Sequence, residues 1–343
     1  MANQTLQLAK LLREEGAMVE LIQVNRPYHP HWIGRLKGVR AAFRLLPYIV
    51  HLWRSANKVQ LFHVMANSGW SWHLFAAPAI WIARIRGTPV VLNYRGGEAD
   101  SFFNKAFFWV RPSLRQTDAI IVPSGFLEAV FARRGFATSI VPNIIDFSRF
   151  MARVRCSASS EVDSPSMIVT RNLEPIYDNG TALRAFNIVR RTFPSAKLTL
   201  AGSGPESHAL KQLAAKLGVA DAVTFTGRVD NEAMAALYHS ADVMINPSLA
   251  DNMPISVLEA LASGVRVVST DVGGVPYLVE HGKTALLVPA QNPEAMANAI
   301  LSLLTDPAKS KAMAKAGIES VQQYTWPNVR GRLLRVYEQV VAT

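Results

Sequence analysis

Four short loops in the second half of this 343-residue chain carry residue types that can hold a phosphorylated, hydroxyl-rich ligand. In TRNLEPIYDNG (170–180), Arg171 follows an apolar run. A guanidinium there can grip a phosphate through paired hydrogen bonds, or simply close a surface ion pair. In AGSGPESHAL (201–210), Gly202 and Gly204 allow a tight turn and Pro205 suits the first position of a following helix, whose N-terminal amides attract anions. A plain structural turn has the same composition, and the pattern is neither GxGxxG nor a Walker loop. In NPSLADNMPISVLEALASG (246–264), Asp251 and Glu259 stand eight apart. Pro254 suits a helix start, with Asp251 or Asn252 as its cap. Glu259 lies in a mostly apolar helix, where a carboxylate needs hydroxyl or amide partners; ribose hydroxyls would serve, as would the helix dipole alone. In TDVGGVPYLVEHGKTALLVP (270–289), Gly273 and Gly274 are read as opening a helix with amides facing a phosphate, or as an ordinary glycine turn.

The first half offers a different set. His63 ends an apolar run, FHVMANSGW (62–70), and could orient a hydroxyl or a phosphate; a hydrogen-bonded core histidine is the alternative. Trp70 and Trp72 could stack on a sugar ring or fill a core, and Glu98, after two glycines, could meet an acceptor. The stretch 32–58 sets Arg35, Lys37, Arg40 and Arg44 at roughly helical spacing among aromatic and aliphatic residues. That pattern suits an anionic membrane surface, or a solvated helix packed by its apolar side. No nucleic-acid reading motif accompanies the charge, so nucleic acid is not expected as a partner.

These residues need a scaffold, and length and pattern indicate one. A chain of this size suggests two domains. Half the residues are apolar and 18% charged, which excludes a disordered, collagen-like or coiled-coil protein. The single cysteine, Cys156, excludes an intramolecular disulfide framework and fits a reducing cytosol. No stretch of 18 apolar residues suggests a membrane span, and the N-terminus lacks the pattern of a signal peptide. Of the net charge of +11, residues 1–150 contribute 18 basic against 8 acidic side chains, with no acid between Glu20 and Glu98, so that half is expected to meet an anionic partner.

Apolar runs at 18–24, 59–65, 89–94 and 119–123 alternate with helical patterns, and a second alternation follows from 166, with runs at 196–202, 222–227, 242–247 and 266–271. This predicts two doubly wound, parallel α/β domains: 1–150, then a small polar linker at 151–165, then 166–325. A first helix capped by Thr5 and ended by Gly16 opens the chain, and an amphipathic helix over 326–343 is expected to pack back on the first domain. A doubly wound domain usually opens on a strand and a glycine-rich turn. Here the helix comes first, so either a preceding strand is missing, which is the expectation, or the fold is non-standard.

Taken together, these segments resemble glycosyltransferase family 4, retaining enzymes of the GT-B fold. The resemblance rests on VPSGFLEAVFARRGF with IVPNIIDFSRF (122–150), the GSGP loop, LGVADAVTFTGRV (217–229) and the Asp251/Glu259 pair followed by LEALASG and TDVGGVP. It implies two Rossmann-like domains facing across a cleft. It implies that Glu259 holds the nucleotide ribose, that Asp251, Asn252, Met253 and Pro254 contact the donor sugar, and that Arg171 neutralises the leaving diphosphate. Arg228 and Val229, beside Gly227, would lie near the base. The chain departs from the family at Asn179, where a lysine usually precedes the glycine, at Arg95, where a histidine is frequent, and in the missing opening strand. Arg95 cannot be a base but can hold a phosphate or an acceptor.

The function expected is metal-independent transfer of a sugar from a nucleotide-diphosphate sugar to a saccharide or lipid-linked saccharide, in polysaccharide or glycolipid assembly. No cofactor beyond the donor is implied. No DxD stands at a strand end; Glu161-Val162-Asp163 falls in the linker. The expected location is cytoplasmic, peripheral on the inner face of the membrane. The alternatives are a catalytically impaired nucleotide-sugar-binding partner protein of the same fold and a GT-B sugar-nucleotide epimerase.

Overall fold

The computed structural model describes residues 2–24, 40–151 and 164–342. The chain divides into two compact units: Met1–Ile144 with Val329–Thr343, and Ile145–Asn328.

Unit 1 runs α1 (Ala2–Glu14), α2 (Arg40–Ser55), β1 (Phe62–Ala66), α3 (Ala77–Ile85), β2 (Val90–Tyr94), α4 (Ala99–Leu114), β3 (Ala119–Val122), α5 (Gly125–Ala132) and β4 (Ser139–Ile140). The four strands form one parallel sheet in the order β1-β2-β3-β4. Every residue of β2 is buried, as an apolar run covered on both faces requires. The core gathers Val64, Leu92 and Val122 from the strands with Leu52, Ile80 and Phe103 from the helices. Trp72 is fully buried within it, which removes the sugar-stacking role considered for that residue, whereas Trp70 is exposed.

Two local expectations fail here. The run 18–24 forms no strand: Met18 is fully exposed, and no strand pairs with the segment among the described residues. A strand exists only through its ladder, so β propensity without a partner leaves extended coil, although Ile22 and Val24 still pack on the core. Thr5 does not cap α1, because the helix already begins at Ala2. Gly16 does end it, at φ 89°, which a residue without Cβ adopts freely.

Unit 2 runs α6 (Phe147–Phe150), β5 (Ser166–Val169), α7 (Asn179–Thr192), β6 (Lys197–Leu200), α8 (Ser207–Lys216), β7 (Val223–Phe225), α9 (Asn231–Ser240), β8 (Val243–Asn246), α10 (Ile255–Ala262), β9 (Arg266–Thr270), β10 (Leu286–Val288), α11 (Pro293–Thr305) and α12 (Pro307–Val321). Helix α13 (Trp326–Val341) follows and belongs to unit 1 from Val329 onward, burying Val329, Leu333, Val336 and Val340 at helical spacing. Most of the linker segment 151–165, Cys156 included, lies outside the described residues.

The unit 2 sheet is parallel, ordered β10-β9-β8-β5-β6-β7. The chain leaves β5 toward β6 and β7, then returns to build β8, β9 and β10 on the other side. The order therefore reverses between β5 and β8. In open α/β sheets that reversal splays the loops at the carboxyl ends and leaves a crevice for ligands.

Candidate functional site

Arg171 follows β5 and Asp251 follows β8, so the two loops flanking the reversal carry the two charges. Arg171 and Asp251 form an ion pair in which both side chains are largely withdrawn from solvent. Arg171 also donates from Nε and Nη2 to Ser248 Oγ (3.3 and 3.2 Å) and from Nη1 to Ser256 Oγ (3.3 Å). Its guanidinium sits 4.4 Å from the centroid of the Tyr177 ring. Burial lowers the Arg171 pKa, with Tyr177, Tyr238 and Glu259 acting the other way. Ser248 in turn donates to Asn246 Oδ1 (2.8 Å), whose amide donates to Ser269 Oγ (2.9 Å). The fork is thus held by a buried polar network rooted in β8 and β9.

Glu259 lies one turn beyond Ser256 on α10. Tyr238 donates to Glu259 Oε2 at 3.1 Å, and Thr170 lies 2.7 Å from the same phenol oxygen. Desolvation raises the Glu259 pKa to about 7, against the Tyr238 hydrogen bond and the charges of Arg149 and Arg171. A half-buried carboxylate with one protein donor retains acceptor capacity for ligand hydroxyls.

The glycines position this pair through close backbone approach. A Cβ at Gly202 would overlap the Arg171 carbonyl, and one at Gly204 the Leu173 carbonyl. Leu173 N–H donates to Ser203 O (3.1 Å) and Glu206 N–H to Leu173 O (3.0 Å), so the GSGP loop clamps the Arg171 loop. A Cβ at Gly273 would meet the Asp251 carbonyl, and one at Gly274 the Asn252 carbonyl. Gly274 N–H donates to Asp251 O at 2.9 Å.

Several expectations about this region change. Gly273 and Gly274 do not open a helix; only the single 3₁₀ turn Val275–Tyr277 follows. Helix α8 begins at Ser207, so Pro205 stands in the turn before it. Neither Asp251 nor Asn252 caps α10, whose cap position is Pro254 with no side-chain bond. The Asp251 carboxylate instead serves Arg171 and the Asn252 N–H (2.9 Å). Asn252, Met253 and Pro254 are buried beside it. Asn179 is fully buried and its amide is spent on Asn172 O (3.0 Å), so this side chain brings no charge in place of the usual lysine. Arg228, exposed, and Val229, half-buried, follow the edge strand β7 and share no hydrogen bond or ion pair with the Arg171 cluster.

Unit 1 has its own polar cluster between β1 and the carboxyl end of β2; His63 is the second residue of β1 and does not end it, because the strand runs on to Ala66. Asn93 donates to His63 Nε2 (3.0 Å), which leaves the ring proton on Nδ1, 2.6 Å from the Tyr337 hydroxyl. Burial and the Arg95 charge lower the His63 pKa to about 3, so the ring is neutral. Arg95 donates from Nε to Asn93 Oδ1 (3.0 Å) and from Nη1 to Gln4 Oε1 (3.1 Å), and burial lowers its pKa to about 10. Its recorded hydrogen-bond partners are neutral amides, and no ion pair to a carboxylate is found for it among the described residues. Glu98 is exposed before α4, outside this chain of bonds. Arg35 and Lys37 lie outside the described residues, Arg40 opens α2 and Arg44 is half-buried on it.

Sequence reading did not find Ser248, Ser256, Tyr177 and Tyr238 in unit 2, or Gln4, Asn93 and Tyr337 in unit 1. One signal was available: Ser256 and Glu259 are three apart and share a helix face. Among the described residues, no group of three or more His, Cys, Asp or Glu side chains could hold a metal ion.

The family described as Glycosyltransferase Family 4 matches residues 1–149, and that described as Glycosyl transferases group 1 matches residues 158–320. A GDP-mannose-dependent alpha-(1-6)-phosphatidylinositol monomannoside mannosyltransferase of Mycobacterium tuberculosis is 32% identical over 63% of this chain and 60% of its own length. That match spans less than two thirds of the relative. A phosphatidyl-myo-inositol mannosyltransferase of Mycobacterium leprae is 25% identical over 98% of this chain and 92% of its own length. Among solved structures, a glycosyltransferase of Rickettsia africae superposes with TM-score 0.73 at 14% identity, covering 99% of this chain and 94% of that one. Anabaena HepE in complex with UDP gives 0.73 at 17% identity, covering 85% and 82%. At these identities the structural likeness bears on the fold alone.

Proposed function

The chain belongs to glycosyltransferase family 4, with the GT-B fold, and on that premise we propose that it transfers a sugar from a nucleotide-diphosphate sugar to an acceptor hydroxyl. The observation that carries this reading is the Arg171 fork, held by Ser248 and Ser256 at the strand-order reversal, one helical turn from Glu259.

The chemistry follows from charge. Breaking the bond between sugar and diphosphate leaves negative charge on the departing oxygen, and a pre-positioned guanidinium stabilises it without reorganising. Asp251 occupies the edge of Arg171 that an incoming diphosphate would take, so donor binding exchanges the carboxylate for phosphate and frees Asp251 to face the sugar. Glu259 accepts from the ribose hydroxyls, and desolvation of its carboxylate makes those bonds worth more than in water. No cofactor beyond the donor and no metal is invoked. Retention of configuration rests on the family resemblance.

Arg95 is proposed to hold the acceptor, and His63, with both ring nitrogens committed, to position Asn93 and thereby Arg95. The likeness to the mycobacterial mannosyltransferases makes GDP-mannose the first donor to test and a phosphoinositol-based glycolipid the first acceptor. A cytoplasmic location peripheral to a membrane belongs to the same proposal, supported by the basic residues 1–150. Among the described residues, no helix is long and apolar enough to cross a membrane.

The test is a titration with GDP, UDP and ADP, followed by their sugar conjugates, on the intact chain and on Glu259→Ala. A preference for one nucleotide, weakened several-fold in the variant, supports the reading. Equal affinity in both proteins removes the ribose role of Glu259. One observation favours a second reading, a nucleotide-sugar-binding protein with impaired turnover: Asn179 brings no charge to the place of the family's lysine. Donor binding without transfer to any acceptor would favour it.

A further inference from the structure

We propose that the outer face of α2, α3 and α4 docks on an anionic lipid surface. The proposal deepens the reading above, in which the acceptor is lipid-linked, and places the membrane contact on residues other than Arg35, Lys37 and Arg40.

Helix α2 is apolar on two sides. Tyr48 and Leu52 enter the core, while Phe43, Leu46, Val50 and Trp53 form an outer stripe at i, i+3, i+7 and i+10, each more than 40% exposed. The stripe continues onto neighbouring helices. The Arg86 guanidinium, just after α3, lies 4.7 Å from the centroid of the Trp53 ring. Trp81 on α3 donates from Nε1 to Ser113 Oγ on α4 (3.2 Å). On α4, Phe108 and Trp109 are 79% and 71% exposed. Single exposed apolar residues need no explanation; a run across three adjacent helices does.

Charge selects the occupant. The sequence has no Asp or Glu between Glu20 and Glu98. On α4 the only acid is Asp100, which Arg134 and Arg133 hold at 2.9 and 3.4 Å. Against this stand exposed Arg54, Arg84, Arg111 and Arg115. Arg111 and Arg115 flank a groove of about 510 Å³ that Phe107 and Phe108 also line. Glu20, bonded to His51 on α2, and Asp100 are the acids near this face, and both are paired, so its net charge is positive and a second copy of it would be repelled. Exposed indole rings, aliphatic bulk and arginine are the set that settles at the boundary between headgroups and acyl chains.

The experiment is co-sedimentation of the full chain with vesicles of equal parts phosphatidylglycerol and phosphatidylcholine, and with phosphatidylcholine alone. Wild type should pellet with the first and stay in solution with the second. Phe108→Ser with Trp109→Ser should lower the bound fraction about tenfold, and Arg111→Glu with Arg115→Glu at least as much. Both variants change exposed side chains and should keep the wild-type circular dichroism and nucleotide affinity. Wild type remaining in solution, or both variants pelleting like wild type, overturns the proposal. So does a dimer in ultracentrifugation that the variants dissolve while vesicle binding is absent. Loss of the transferase reading would register as missing nucleotide binding in wild type, a result independent of the pellet.

Discussion

Arg171 and Asp251 form an ion pair across the strand-order reversal of the unit 2 sheet, and Ser248 and Ser256 accept hydrogen bonds from the same guanidinium, Ser248 sharing Nη2 with Asp251. Removing one partner of a largely buried pair leaves a charge without compensation. Asp251→Asn should therefore lower unfolding stability by about 2–4 kcal/mol. It should also raise affinity for a nucleoside diphosphate several-fold, because nothing competes for Arg171, while transfer falls. Calorimetric titration and thermal melts check both; weaker nucleotide binding would show that Asp251 does not guard the phosphate position.

Arg171→Lys keeps the charge but loses the planar fork that Ser248 and Ser256 orient. Lysine presents a single point of contact to a phosphate. Nucleotide affinity should fall by about tenfold or more, measured in the same titration. Unchanged affinity would mean that a point charge at the end of β5 is sufficient.

Glu259 sets a conflict between function and stability. Its folded pKa of about 7 lies above its ordinary value of 4.5. Between those values the folded chain retains a proton that the unfolded chain has released. Stability should therefore fall as pH rises through that window and stay reduced above it, by up to about 3 kcal/mol. Glu259→Gln should melt higher than wild type at pH 8, with the difference vanishing near pH 4, while nucleotide affinity drops. Parallel melting curves across pH would contradict the assignment.

The histidine inside β1 makes a contrasting prediction. His63 titrates at about 3, far below neutrality. Any ionisation near pH 7 in the rate profile should belong to Glu259 and disappear in Glu259→Gln, but persist in His63→Gln. Persistence in the first variant would point to another group.

Arg95→Gln should raise the acceptor KM and leave nucleotide affinity unchanged, because Arg95 belongs to unit 1 and to none of the bonds around Arg171. Steady-state kinetics with separate donor and acceptor series distinguishes this from a general loss of fold, which would move both.

The runs that became β1, β2, β3, β5, β6, β7, β8 and β9 were legible from their apolar content, most plainly β2 and β8, which are buried throughout because parallel strands covered on both faces must be apolar, and least so the edge strand β7. The spacing of Asp251 and Glu259 and the strand-end place of Arg171 were legible for a similar reason: local sequence governs which residues end a strand or share a helix. What each residue touches was decided elsewhere. Asp251 was read as a helix cap and is an ion-pair partner, because Arg171, eighty positions earlier in the chain, reaches it only once β5 and β8 lie side by side. Tyr238, Ser248 and Ser256 come from three elements and have no shared signature in one dimension. The run 18–24 has strand composition yet forms none, since pairing depends on a neighbour that composition does not supply. Side-chain chemistry and local propensity are written residue by residue, while partners, burial and the resulting pKa of Glu259 arise from distances between distant parts of the chain, and only the folded arrangement sets those.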